Sequence, residues 1–152
     1  MNVVLISTYE LGRQPFGLAS PAAWLRRAGA EVTCFDLSRE EFREAPLRAA
    51  ALVAFYVPMH TATRLAIPLI DSVRRLNPRA HLCFYGLYAP MNAEYLRKLG
   101  VQTILGGEFE EGLARLVEHL AQSPTAAAPE IQSHSDVSLA RQQFVLPDRS
   151  GL

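Results

Sequence analysis

The sequence predicts an α/β domain in which a parallel sheet is covered by helices on both faces, and three observations carry that expectation. Short apolar runs recur along the chain, as in Val3 to Ile6, Leu52 to Val57 and Ala80 to Tyr85. Between them lie stretches with helical spacing, such as Leu65, Leu69, Val73 and Leu76. Glycine and proline punctuate the joins, so strand and helix alternate, which is the pattern of a parallel sheet buried on both sides.

Composition narrows the partners. A chain of 152 residues fits one domain that buries roughly two thirds of its unfolded surface. Fifteen basic and fifteen acidic residues give zero formal charge, so nothing steers nucleic acid or an anionic membrane to it. Cys34 and Cys83 both fall in strand-like runs without metal spacing and read as buried thiols. The chain opens on a strand without a basic leader, and no apolar run approaches the ~20 residues that span a bilayer. A reduced, cytoplasmic protein is expected.

In order, Val3 to Ile6 forms the first strand. Ser20 is the expected N-cap of a helix with Pro21 in its first position, running from Ala22 to Ala28 and closed by Gly29. Ala30 to Leu37 is the second strand, followed by a charged, helix-leaning piece, Ser38 to Glu44, and a turn opened by Pro46. Leu52 to Val57, apolar throughout, is a central third strand. The helix from Ala62 to Leu76 ends at Asn77-Pro78, and Pro68 should kink it or mark its first turn. Ala80 to Tyr85 is the fourth strand, Met91 to Leu99 a helix, and Val101 to Leu105 the fifth strand. A last helix spans Glu108 to Ala121, its early acids suited to a helix N-terminus. The domain should cover residues 1–121, with 122–152 a linker, ordered at most near Phe144 to Leu146.

Five parallel strands with right-handed crossovers imply a flavodoxin-like, Rossmann-like order of 2-1-3-4-5, whose switch point lies between the first and third strands. The candidate site is then the set of loops at the carboxyl ends of the strands. The first, Thr8 to Ala19, carries two glycines and a proline. Pro58 to Thr63, Gly86 to Met91 and Gly106 to Glu110 complete it. Aromatic and small residues dominate these loops, among them Tyr9, Phe16, Met59, Tyr88 and Phe109, so a large, flat, mostly apolar ligand suits them better than a sugar phosphate.

Other tenants of this architecture are tested by the same residues. Gly12-Arg13-Gln14-Pro15-Phe16-Gly17 is not a dinucleotide loop, and no phosphate-binding GxxxxGK[ST] occurs. A phosphoacceptor would need an aspartate closing the third strand, where Val57-Pro58 stands, and acids after the first, where Thr8-Tyr9-Glu10 stands. Ser7 and Thr8 alone do not make the hydroxyl-rich phosphate loop of a flavin site. His60, His81 and His119 have no nucleophile in a GxSxG context; His81 reads as a strand start and His119 as solvated.

Four segments together resemble the cobalamin-binding domain at the N-terminus of cobalamin-dependent radical S-adenosylmethionine proteins: LGRQPFGLASPAAWLRRAGAEV after the first strand, FYVPMHTATRLA, CFYGLYAP and LGGEFE. The resemblance covers about Met1 to Ala121. In such domains an Asp-x-His-x-x-Gly loop supplies the lower cobalt ligand, a Ser-x-Leu segment follows the third strand and a Gly-Gly pair the fourth. Here these fall on Gly12 to Gly17, on Val57-Pro58-Met59 and on Gly86-Leu87, with only Gly17 and Gly86 identical.

Gln14 stands where the ligating histidine would be and Gly12 where its orienting aspartate would be, which matches members that hold the corrin without a protein imidazole. His60 is the one histidine at a strand exit that could approach cobalt. The resemblance implies a base-off cobalamin, its nucleotide tail threaded between the sheet and the first and last helices. In the first loop the contacts fall to Leu11, Gly12, Gln14, Phe16 and Gly17, and in the second to Pro58, Met59, His60 and Thr61. Gly86, Leu87 and Tyr88 supply the third loop and Gly106, Gly107 and Glu108 the fourth. The parent enzyme that the resemblance implies, with methyl transfer as one expected reaction, would also hold a four-iron four-sulfur cluster and S-adenosylmethionine. This chain lacks the CxxxCxxC loop that binds them, and its ending, Phe144 to Leu152, resembles the lead-in to the missing catalytic barrel. Two other readings stay open: a stand-alone cobalamin carrier, and a receiver-like interaction domain that binds no cofactor.

Overall fold

The computed structural model describes residues 1–41, 43–122, 136–139 and 141–152; the expected linker residues 123–135 lie outside the described residues. The strands are β1 (Asn2–Ser7), β2 (Glu31–Asp36), β3 (Leu52–Tyr56), β4 (His81–Tyr85), β5 (Thr103–Gly107) and β6 (Asp136–Ser138). The helices are α1 (Phe16–Arg27), α2 (Glu44–Ala49), α3 (His60–Leu76), α4 (Tyr88–Met91), α5 (Ala93–Lys98) and α6 (Glu110–Gln122). All strand pairs are parallel, in the order β2-β1-β3-β4-β5-β6. The architecture is the expected flavodoxin-like one, extended at one edge by a sixth strand drawn from the stretch read as linker.

Alternation along the strands divides the core in two. Val4, Ile6, Val53, Phe55, Leu82 and Phe84 face α2 to α5, where they meet Leu47, Ala66, Ile70, Val73 and Leu96. Phe55 and Phe84 stack there with centroids 4.8 Å apart, worth about 0.5–1.5 kcal/mol beyond area burial. Val3, Leu5, Ala54, Cys83 and Tyr85 face α1 and α6, meeting Leu18, Ala22, Leu25, Leu113 and Leu116. Both cysteines are free and buried, as their strand positions predicted.

Several element boundaries differ from expectation, each for a local reason. Helix α1 begins at Phe16 rather than after Ser20: the carbonyl of Pro15 accepts from the N–H groups of Leu18 and Ala19, and Pro21 lies inside the helix. Pro21 has no N–H for the Gly17 carbonyl one turn back, and that carbonyl instead accepts the Tyr85 hydroxyl at 2.7 Å. The second helix contains Pro46 instead of ending before it. Pro46 sits in the first turn of α2, where a missing N–H costs nothing. Helix α3 starts two residues early, at His60, and Pro68 is interior. The Asn77 side chain ends it by donating to the carbonyls of Leu47 and Ala50, at 2.9 and 2.7 Å, which also closes α2. The single helix expected over 91–99 is two, α4 and α5, parted at Asn92, whose amide donates to the Tyr88 carbonyl at 2.7 Å.

Residues 141–152 return along α1. The Asp148 N–H donates to the Ala19 carbonyl at 2.9 Å, and Asp148 pairs with Arg26. Every α1 residue from Gly17 to Ala23 is buried, because sheet and returning segment cover opposite sides of the helix.

Candidate functional site

The order in which strands are added reverses between β1 and β3, so the crevice opens at their carboxyl ends, where the topology predicts it. Its rim is apolar and uncovered. Leu11 is 67% exposed, Phe16 50%, Leu87 67% and Met91 71%, on the two loops that follow β1 and β4. Pro58, Met59 and Tyr88 are half-buried between them, and His60 and Thr61 are exposed at the start of α3. Leu11 adopts a left-handed φ of 51°, uncommon without glycine, and Gly12 continues the turn at 73°. That conformation folds the loop after β1 back over the strand end.

Beneath the rim lies a row of side chains on the α1 side of the sheet. Register aligns Asp36, Ser7, Tyr56, Tyr85 and Leu105 across β2, β1, β3, β4 and β5. Tyr56, Tyr85 and Phe109 form an aromatic cluster, with centroids 5.4, 5.9 and 5.0 Å apart. Burial first, then the carboxyls of Glu10 and Glu110, push the Tyr56 phenol up to about 12. Burial and Asp36 raise the Glu10 carboxyl above the usual range. Ser20 donates to Oε1 of the buried Glu110 at 2.7 Å, joining α1 to α6.

Several of the expected ligand residues also serve the packing of the fold. Gly17 and Gly86 make room for Tyr56. A Cβ at Gly17 would lie 2.2 Å from the Tyr56 ring; at Gly86, whose φ is +107°, it would lie 3.1 Å from that ring and from the Val57 carbonyl. Gly106 and Gly107 belong to β5 and face β6: a Cβ at Gly106 would meet Pro90 at 2.4 Å, and one at Gly107 would meet the Ser138 carbonyl at 2.1 Å. The Glu108 N–H also donates to Ser138, at 2.7 Å. The fourth loop is thus taken up by β6. Gln14 accepts a hydrogen bond from Arg149 of the returning segment.

The expected passage for a tail between the sheet and helices α1 and α6 is filled by Tyr85 and bridged by Ser20 and Glu110. A cavity of about 450 Å³ lies beside α1, bounded by Phe16, Ser20, Trp24, Glu110, Arg141 and Phe144.

His81 and His119 lie away from the rim. His81 begins β4, as read, and its Nε2 lies 2.8 Å from Thr103 Oγ1. Burial, with His119 adding to it, pushes its imidazole down to about 4. His119 is half-buried and not solvated; its Nε2 is enclosed without a partner among the described residues. Burial pushes the Cys34 thiol up to about 11 and raises that of Cys83 further, so neither is a ready thiolate. Among the described residues no group of three His, Cys, Asp or Glu is placed to hold a metal, and no helix is long and apolar enough to cross a membrane.

Tyr56 and Asp36 lie outside the loops that the sequence offers as the site, while Glu10 and Glu110 fall within them without a role. Their signal was positional: Asp36 and Tyr56 each end a strand, and Glu10 sits three residues past one.

No family model matches the chain, and no curated protein does. Among solved structures, the flavodoxin-like domain of a Synechococcus protein is similar, at 15% identity and a TM-score of 0.48, over 86% of this chain and 97% of that one.

Proposed function

We propose that this chain is a corrin-binding module that holds cobalamin at the carboxyl ends of β1, β3 and β4, and that it serves a radical S-adenosylmethionine parent. The observation that carries the reading is the uncovered apolar rim of Leu11, Phe16, Leu87 and Met91 at the switch point of the sheet. A broad, flat ligand with an apolar face and a polar edge suits such a rim, since apolar contact supplies affinity and a few polar groups supply orientation. Met59 and Tyr88 extend the platform.

The fit is specific about what the chain does not supply. No imidazole stands at position 14, and Gln14 is a neutral amide already engaged by Arg149. The lower face of cobalt would therefore lack a protein nitrogen. With Tyr85 and the Ser20–Glu110 contact packed between the sheet, α1 and α6, the nucleotide base would use the cavity beside Phe16, Trp24 and Phe144, which has an aromatic lining. Bound there, the cofactor would carry the reactive carbon, and the protein would orient it. With both cysteines buried and protonated, an iron–sulfur cluster would need ligands from elsewhere in the parent.

Absorbance titration with hydroxocobalamin, followed by gel filtration, tests the reading. Saturable spectral change and co-elution of the red chromophore support it. A silent titration leaves the rival reading, a cofactor-free docking domain that uses the same apolar rim for a protein partner.

A further inference from the structure

The end of β1 carries two polar atoms that the fold leaves unmatched. Ser7 is fully buried, and its Oγ has no hydrogen-bond partner among the described residues. Oε2 of Glu10 is also buried and unpartnered among them. Leaving one such group unsatisfied costs about 1–3 kcal/mol, so two of them within one strand exit need a reason beyond stability.

Their surroundings say what could satisfy them. Register sets Ser7 between Asp36 and Tyr56 on one face of the sheet. Glu10 lies three residues past Ser7, and its carboxyl is within electrostatic reach of both of those neighbours, so it shares the surroundings of Ser7. The place is rich in acceptors: Asp36 Oδ1 already takes the N–H and hydroxyl of Ser38. Oxygens that are left to accept call for a donor, and an N–H group is the matching chemistry. Ser7 can donate as well as accept, which favours a group that does both.

We propose that Ser7 Oγ and Glu10 Oε2 together receive a primary amide of the bound ligand, Glu10 accepting its N–H and the Ser7 hydroxyl donating to its carbonyl. The receptor rests on these two side chains. Only its use for a corrin, whose edge bears primary-amide arms, rests on the function proposed above.

Propionamide titrated into the isotope-labelled full chain tests the receptor alone, read at the Glu10 side-chain carboxyl and the amides from Ser7 to Gly12. A saturable shift in the wild type that weakens at least about tenfold in Glu10→Ala, a change in a half-exposed loop, supports it. No saturable shift, or equal affinity in Glu10→Ala, overturns it whatever cobalamin does. A second titration compares cobalamin with its monocarboxylate derivatives, in which one amide arm is a carboxylate. One derivative should bind the wild type at least about tenfold more weakly than cobalamin, and Glu10→Gln should narrow that gap. Equal binding of all derivatives contradicts the use of this receptor for the corrin. If propionamide binds and cobalamin does not, the corrin reading falls and the amide receptor stands.

Discussion

The Tyr85 hydroxyl donates to the Gly17 carbonyl at 2.7 Å, across the interface of β4 and α1, and that carbonyl is the one Pro21 leaves without a helical partner. A proline inside a helix and a tyrosine 64 positions later are thus one device. Removing the hydroxyl strands a buried carbonyl.

Tyr85→Phe should accordingly cost about 1–3 kcal/mol in denaturant unfolding. Pro21→Ala restores an N–H within reach of Gly17, so the double variant should recover part of that loss. A positive coupling in the double-mutant cycle is the expected result; strict additivity would mean that the two residues do not share the carbonyl.

Gly17→Ala drives a methyl group into the Tyr56 ring and should destabilise the protein by about 1–3 kcal/mol, as overpacking does. Tyr56→Leu in the same chain should relieve much of it. Gly86→Val, which from sequence alone would be expected to spare the fold and weaken only a ligand, meets the Tyr56 ring and the Val57 carbonyl from a left-handed backbone. Thermal unfolding should show a lower midpoint for Gly86→Val even with no ligand present.

His81 makes stability depend on pH. Its folded-state value of about 4 lies below its ordinary 6.5, so the fold holds it neutral while the unfolded chain takes up a proton. Its contribution is complete above pH 6.5 and is lost as pH falls toward 4, to a total on the order of 3 kcal/mol. Asp148, held down to about 2 by the hydroxyl and N–H of Ser150 and by Arg26, titrates below that window. Glu10, raised by burial, works in the opposite sense within it. Urea unfolding between pH 7 and 4 should therefore show a steeper loss for the wild type than for His81→Gln.

The absence of an imidazole at position 14 predicts a spectroscopic signature. Bound cob(II)alamin should show no nitrogen superhyperfine splitting in its electron paramagnetic resonance spectrum. Gln14→His should create that splitting if the new ring displaces the contact with Arg149. Splitting in the wild type that vanishes in His60→Ala would instead make His60, exposed at the start of α3, the ligand.

Strand order and both core faces were legible in the sequence, because each of the first five strands is an apolar run bounded by glycine, proline or charge. Helix starts were less so. Ser20 and Pro21 look like a cap and a first helical residue, but the partners that overrule this reading, Glu110 and Tyr85, are remote in sequence. Strand β6 was hidden because it is three residues long and its place depends on the glycine pair in β5. Topology alone gives the place of the candidate site, while the packing of its residues depends on partners remote in sequence. Gly17, Gly86, Gly106 and Gly107 were read as openings for a ligand, whereas the first two admit Tyr56, Gly106 admits Pro90 and Val137, and Gly107 admits Ser138.

The central claim, that a corrin lies on the rim at the switch point, is tested most directly by mapping hydroxocobalamin binding on the amide spectrum of the isotope-labelled chain. Saturable shifts are expected at Leu11, Phe16, Leu87 and Met91 and none at the opposite end of the sheet, around Asn77 and Ala80. An unchanged spectrum, or shifts confined to that opposite end, would contradict it.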